Sequence, residues 1–203
     1  MSHEVPSRFA VVPSVLLLAC FVAIGAGATP AHSPEARTTG TPRRRVMLDD
    51  LDVAANRATV FVFFSAECPL AQKYSPVVES LHQRYRQRDV QFYGVFAGVL
   101  ADDVGASTFP HDYNLTMPFL EDRDLRLATE LGASTTPEVV VVDPDREIAY
   151  RGQIDNWFYG LGKRRTQATR HYLRDTLDAL LTERRPPVTR TEPIGCLIRA
   201  LPR

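Results

Sequence analysis

One junction in the sequence constrains the fold more than any other feature: a strand-like run leads through a cysteine and a proline into a helical repeat. Residues 59–64 read TVFVFF, a continuous run of β-branched and aromatic side chains. Such a run is typical of a central strand that is covered on both faces. Ser65-Ala66-Glu67-Cys68-Pro69 follows directly. The chain therefore passes from a buried strand through a short turn, and the turn carries a thiol.

The segment after Pro69 has the spacing of a helix. Its apolar side chains fall on one helical face: Leu70, Tyr74, Val77 or Val78, Leu81 and Tyr85. Proline is tolerated at the first helical position, and the N-terminal end of a helix stabilises a thiolate relative to a thiol. We therefore predict that Cys68 is a reactive thiol. The alternative is a buried cysteine that acts as a small apolar residue.

The remaining patterns predict alternating strands and helices. We expect strands at residues 90–96, 139–142 and 147–150, a short extended piece at 117–119, and helices at 102–113, 122–131 and 169–183. This order, with its hairpin and helix at the end, indicates one α/β domain of about 140 residues.

The N-terminal part of the chain has a different composition. Residues 9–28 carry no charge and end in Ala26-Gly27-Ala28, which is typical of a cleaved export signal. An uncleaved membrane anchor, or lipidation at Cys20, remains open. We expect a signal peptide or anchor at 1–28, a flexible linker at 29–45, a folded domain at 46–183, and a Pro/Arg-rich tail at 184–203 that carries Cys196.

Composition excludes several classes of protein. The chain has 24 Lys+Arg and 24 Asp+Glu, so it lacks the positive excess of a nucleic-acid binder. Three cysteines are too few for a disulfide scaffold or a structural zinc site. His82, His111 and His171 are scattered along the sequence, and we expect neither a metal nor another cofactor.

Three segments together resemble a known family. FFSAECPLAQKYSP, TTPEVVVVD and YRGQID are similar to the redoxin branch of the thioredoxin-like superfamily, the branch related to alkyl hydroperoxide reductase and thiol-specific antioxidant (AhpC/TSA) proteins. The resemblance implies a thioredoxin-like α/β fold: a central mixed sheet flanked by helices, with a redoxin-type insertion. It also implies a cis peptide at Thr136-Pro137 beside Cys68. Pro69, Thr136 and Pro137 would then shape a groove for the extended backbone of a partner.

The sequence departs from the family patterns at two positions. Ala71 stands where a thioredoxin has its second cysteine, which excludes a dithiol mechanism within the loop. Ser65 matches the serine or threonine that precedes the cysteine of a peroxiredoxin, whereas Phe61 stands where such enzymes have proline. The arginine that those enzymes place at the thiolate has four candidates here: Arg123, Arg126, Arg146 and Arg151.

Cys196 supplies a second thiol outside the loop. It follows Gly195 on a tail that we expect to be flexible, and loop-closure entropy grows only slowly with sequence separation. A second thiol is needed to resolve a sulfenic acid or a mixed disulfide on Cys68. The alternatives are a permanent disulfide with Cys68, a free thiol and an intermolecular bridge.

These observations predict an exported enzyme, a thiol oxidoreductase or an antioxidant of the thiol peroxidase type. Its catalytic residues would be Cys68, Cys196 and Ser65. Its substrates would be protein disulfides or peroxide, and an external thiol would be the reductant. The alternative is a non-catalytic binding module that uses the groove beside Pro137. We expect no nucleic-acid partner, and membrane attachment only through the N-terminal segment.

Overall fold

The computed structural model describes residues 47–98 and 104–199. The predicted signal peptide or anchor at 1–28 and the linker at 29–45 lie outside the described residues. In the part of the chain that is described, no helix combines the length and the apolar character needed to cross a bilayer.

A five-stranded mixed sheet forms the centre of the domain, in the order β3-β2-β1-β5-β6. Its strands are β1 (Ala58–Phe64), β2 (Val90–Ala97), β3 (Phe119–Asp122), β5 (Glu138–Val142) and β6 (Ile148–Gly152). The pairs β1–β2 and β2–β3 are parallel, whereas β1–β5 and β5–β6 are antiparallel. Every residue of β1 is buried, which is the environment that its unbroken apolar sequence predicts.

Helices cover both faces of this sheet, because alternate side chains of the central strands enter two apolar clusters. The helices are α1 (Pro69–Tyr85), α2 (Val104–Asp112), α3 (Arg126–Leu131) and α4 (Tyr172–Leu180). Residues from α1, α2 and α4 pack with Cys68 on one face, and residues from α3 pack on the other. The predicted fold class, a mixed sheet flanked by helices, is confirmed.

Two helices are shorter than their sequence patterns indicate. Asp122 ends β3, and its carboxylate accepts the N–H groups of Leu127 and Ala128 at 3.2 and 2.8 Å. The polypeptide therefore turns before α3 begins, four residues later than predicted. Similarly, the N–H groups of Thr169 and Arg170 donate to the side-chain oxygen of Asn156 at 2.8 and 3.0 Å. They belong to a loop contact rather than to the first turn of α4.

The apolar periodicity of the sequence did not predict two short antiparallel strand pairs. The first joins β7 (Phe158–Gly160) to β8 (Lys163–Arg164) in a hairpin. The second joins β4 (Thr135–Thr136) to β9 (Cys196–Leu197), so the tail is attached to the segment before Pro137. Strands of two or three residues are too short to give an alternating pattern.

Candidate functional site

Cys68 lies at the junction that the sequence singles out. It is the residue that precedes α1, and Pro69 occupies the first turn, where a missing N–H leaves no hydrogen bond unmade. The Cys68 N–H donates to the carbonyl of Ser65 at 3.2 Å, and its own carbonyl accepts the N–H of Gln72 at 3.1 Å. The Cys68 side chain is fully buried. Ser65 is also buried, and its contact with Cys68 is made by the backbone.

The thiol of Cys68 contacts the segment before Pro137. Its Sγ donates to the carbonyl oxygen of Thr136 at 3.0 Å, across 68 residues of sequence. The Thr136-Pro137 peptide bond is cis, which is the geometry that the family resemblance implies. The structure therefore brings Cys68, Thr136 and Pro137 together, with Pro69 at the start of the adjoining helix.

The tail completes this site. Cys196 lies opposite Thr136 in the antiparallel pair of β4 and β9, and the N–H of Ile198 donates to the carbonyl of Ser134 at 2.9 Å. Gly195 lies directly against the Thr136 carbonyl, where the Cβ of any other residue would collide with that oxygen. The glycine before Cys196 therefore permits this close approach of two backbones.

The tail is not the flexible segment that its composition indicates. Upstream of β9 it runs beside β6, an edge strand whose backbone groups are available for pairing. Arg151 donates its N–H to Thr189 and accepts the N–H of Thr191, both at 3.0 Å. The Thr191 hydroxyl contacts the Tyr150 hydroxyl at 2.6 Å and accepts the N–H of Gln153 at 2.8 Å.

The two thiols are in contact with each other and have different environments. Burial raises the pKa of Cys196 to about 11, and a hydrogen bond with the Cys68 sulfur and the charge on that sulfur add to the shift. Cys196 therefore keeps its proton at neutral pH. Cys196 is nevertheless the partly exposed member, whereas Cys68 is inaccessible. Both cysteines are free thiols in this structure.

Glu138, at the start of β5, supports the site from within the sheet. The sequence patterns did not predict this role. Its carboxylate is buried and accepts the N–H groups of Ser134 and Thr135 at 2.8 and 3.1 Å. Burial raises the pKa of Glu138, opposed by these hydrogen bonds and by Arg151, whose guanidinium lies 4.0 Å away. A charged residue at the start of the apolar strand EVVVV was the available signal, because such a carboxylate needs partners when it is buried.

Three of the four arginines considered for a peroxide site contact groups other than Cys68. Arg123 binds Glu121 at 3.0 Å, Arg146 binds Asp49, and Arg151 donates to the Leu131 carbonyl at 3.2 Å. Arg126 is exposed on α3. No contact between these guanidinium groups and Cys68 is recorded for the described residues.

His82, His111 and His171 do not form a cluster. Within residues 47–98 and 104–199, no group of three or more His, Cys, Asp or Glu side chains is arranged to hold a metal ion. The chemistry that the described site offers is that of its two thiols.

Comparison with known proteins agrees with this fold. The model of the AhpC/TSA family matches residues 31–151. The chain belongs to the AhpC/TSA family. It is therefore a thioredoxin-like redoxin and, at the level of the family, a thiol oxidoreductase that acts on thiols and disulfides. The resemblance found in the sequence is confirmed. No curated protein matches the chain.

Solved structures share the fold of this AhpC/TSA protein. An uncharacterized conserved protein from Geobacillus kaustophilus is 26% identical, with a TM-score of 0.63, over 78% of this chain and 84% of that one. A hypothetical protein from Sinorhizobium meliloti is 24% identical, with the same TM-score of 0.63, over 73% and 82%. A thioredoxin-like protein in its oxidized form is 16% identical, with a TM-score of 0.50, over 70% and 88%.

Proposed function

We propose that this AhpC/TSA protein is an exported thiol–disulfide oxidoreductase in which Cys68 and Cys196 form a reversible disulfide. One observation supports the proposal: Cys196 pairs with Thr136 in the β4–β9 pair, and the carbonyl of the same Thr136 accepts the hydrogen bond of the Cys68 thiol. Because position 71 in the loop is alanine, the loop cannot supply a second cysteine. In this proposal the second cysteine of the pair is Cys196 from the tail. Cys68 is the nucleophile in this proposal, because it lies at the N-terminal end of α1, whereas the pKa of Cys196 is raised.

The reaction transfers two electrons from the cysteine pair to a disulfide. The Cys68 thiolate attacks one sulfur of the substrate, the substrate S–S bond breaks, and one substrate thiol leaves with a proton. Cys196 then gives up its proton and attacks the Cys68 sulfur of the mixed disulfide. This step releases the second substrate thiol and leaves a Cys68–Cys196 disulfide. An external thiol returns the two electrons.

Peroxide is the less supported substrate. A thiol peroxidase needs a donor that polarises the peroxide O–O bond at the thiolate, and Arg123, Arg146 and Arg151 make their contacts with groups other than Cys68. Ser65 contributes a backbone carbonyl to Cys68, and Phe61 is buried within β1. The site offers a second thiol rather than a peroxide-binding guanidinium.

Access to Cys68 requires the tail to move. Cys68 is fully buried, and the Thr136 backbone, where an extended partner would dock, is paired with Cys196. The β4–β9 pair has only two residues in each strand, so it can open without disturbing the central sheet. This arrangement does not favour the alternative of a pure binding module, because the chain's own tail occupies the groove beside Pro137.

Export is part of the proposal. The uncharged residues 9–28 and the small residues at 26–28 support a signal peptide, followed by a linker, the redoxin domain and the tail. Export suits a reversible disulfide, because oxidising compartments are where disulfides persist. Sequencing the mature N-terminus after fractionation distinguishes a cleaved signal from an anchor or a lipid at Cys20.

A turnover assay with single cysteine variants tests the proposed function. The substrate is a small peptide disulfide, and reduction is followed with an external thiol as electron donor. We expect Cys68→Ser to lower the rate at least about a hundredfold, and Cys196→Ser to stop after a trapped mixed disulfide on Cys68. Cys20→Ser, made in the uncleaved full-length chain, is the control for the third cysteine and should keep the wild-type rate. An unchanged rate in Cys68→Ser would contradict the proposal. Faster reduction of peroxide than of disulfide would instead favour a thiol peroxidase.

A further inference from the structure

A cavity of about 360 Å³ opens beside the tail. It lies between the loop after β6, the β7–β8 hairpin and the segment before α4. Its polar and apolar walls include Gln153, Asn156, Tyr159, Arg165, Arg170 and Ile194. Nothing in the proposed exchange between Cys68 and Cys196 uses this cavity.

The charged residues that line the cavity are all basic. Two arginines, Arg165 and Arg170, line it, and none of its described lining residues is acidic. The sequence around it has the same bias: residues 156–174 contain five Lys or Arg and no Asp or Glu. Asp155, the acidic residue just before this stretch, is buried and accepts hydrogen bonds from the Tyr74 hydroxyl and the Trp157 N–H at 2.7 and 2.8 Å. The cavity therefore favours an anion.

Asn156 contacts the side chain of Arg165 and the backbone of Arg170. Arg165 donates from Nη1 to the Asn156 carbonyl at 2.6 Å, and its guanidinium lies 5.0 Å from the centre of the Tyr159 ring. The Asn156 side chain binds the backbone N–H of Arg170 at 3.0 Å. Because a guanidinium has five N–H groups, the bond to Asn156 leaves donors for a bidentate carboxylate.

The cavity adjoins the reactive end of the tail. Ile194, one of its walls, is two residues from Cys196, a span of at most about 7 Å along the chain. Gln153, another wall, donates to the carbonyl of Glu192 at 2.6 Å and so ties the cavity to the tail. Of the two thiols, only Cys196 is partly exposed. The partly exposed thiol, Cys196, is therefore the one that follows the cavity wall closely along the chain.

We propose that this cavity binds the carboxylates of a small thiol, which reduces the Cys68–Cys196 disulfide by attacking Cys196. The proposal rests on the function proposed above and names the class of its electron donor. The donor thiolate forms an S–S bond with Cys196, the Cys68–Cys196 bond breaks, and Cys68 leaves as the thiolate. A second donor thiol attacks the donor sulfur of the adduct, releasing the donor disulfide and the Cys196 thiolate, which takes a proton. Two electrons enter the protein, and two donor thiols become one disulfide.

Reduction rates with charged and neutral thiols test the proposal. Oxidised full-length protein is mixed with mercaptosuccinate, 2-mercaptoethanol or cysteamine, and each rate is normalised to the rate of the same thiol with a small reference disulfide. We expect a preference of about tenfold for the dianionic thiol, which weakens at high salt. Arg165→Gln with Arg170→Gln should abolish the preference. Arg184→Gln with Arg185→Gln, a matched pair of exposed arginines outside the cavity, should retain it.

Two further measurements locate the donor. Acid quenching followed by peptide mass analysis should find the mercaptosuccinate adduct on Cys196, and an adduct on Cys68 would overturn the proposal. Succinate, which has no thiol, should bind the reduced wild-type protein and the control pair but not the Arg165/Arg170 variant. Equal normalised rates for the three thiols, or equal succinate binding by both variants, would also overturn it.

These outcomes separate the two proposals. If no Cys68–Cys196 disulfide forms, the proposed exchange fails, and succinate binding alone decides whether the cavity is an anion site. If the disulfide forms and is reduced without preference for the anionic thiol, the exchange stands and the cavity proposal fails.

Discussion

Cys68 and Cys196 are chemically equivalent side chains that the fold makes unequal. Cys68 ends a buried turn before α1 and is inaccessible, whereas Cys196 lies on a paired tail strand and is partly exposed. The raised pKa of Cys196, caused first by burial and then by its hydrogen bond with Cys68, keeps the proton on the tail thiol. At the residue scale, the proposed division of roles between nucleophile and resolving thiol rests on this difference in exposure and on the raised pKa of Cys196.

Gly195 is the residue on which the docked tail depends most directly. In Gly195→Ala the new Cβ collides with the Thr136 carbonyl, so the β4–β9 pair should open more often, at a cost of about 1–3 kcal/mol. We expect alkylation of reduced Cys68 to become at least about fivefold faster, measured by mass spectrometry over time. Gly160→Ala is the control, because its Cβ would make an ordinary contact of 3.5 Å with Lys163. Equal labelling of Cys68 in both variants would contradict the role given to Gly195.

At the scale of elements, the sequence predicts best those segments that bury a repeating pattern. β1, α1, β2 and β5 lie where their apolar residues indicate, within about one residue. The late start of α3 was not predictable from periodicity, because it depends on the Asp122 carboxylate capping Leu127 and Ala128. The β7–β8 hairpin was not predicted for another reason: its residues are largely exposed and its strands have only three and two residues, so no apolar repeat marks it.

α1 also carries a buried histidine that makes stability depend on pH. His82 is 8% exposed, and its Nδ1 has no recorded partner within the described part of the chain. Burial lowers the pKa of His82, Arg86 lowers it further, and Glu79 acts in the opposite direction. Protonation is therefore easier in the unfolded chain. Stability should be full above the unfolded pKa of about 6.5 and should fall as the pH drops below it towards the lower folded pKa.

Urea unfolding at pH 7.5 and pH 5.0 measures this effect. The free energy of unfolding of the wild type should decrease between these pH values by up to about 1.4 kcal/mol per pH unit within the window between the two pKa values. His82→Gln should show a smaller decrease. His111→Gln, whose side chain is 95% exposed in the wild type, is the control and should behave like the wild type. The same pH dependence in all three proteins would contradict the assignment to His82.

At the scale of the whole molecule, the site depends on contacts that no local pattern specifies. The sequence predicts a reactive Cys68 and a second thiol on the tail, but Thr136 meets Cys196 across 60 residues of chain. That meeting depends on Thr191 anchoring the tail beside β6 and on Gly195 fitting against a carbonyl. Glu138, which holds the loop before Pro137, becomes visible as part of the site only once the sheet is assembled.

The central claim is that Cys68 and Cys196 form one reversible redox couple, and a redox titration tests it most directly. The full-length protein is equilibrated in a series of dithiothreitol buffers, quenched with acid, alkylated and mapped by peptide mass spectrometry. The account predicts a cross-linked Cys68–Cys196 peptide that appears and disappears in a single two-electron transition, with Cys20→Ser giving the same curve. If both cysteines remain alkylated at the oxidising end, or if the cross-link persists in excess dithiothreitol, the account is contradicted.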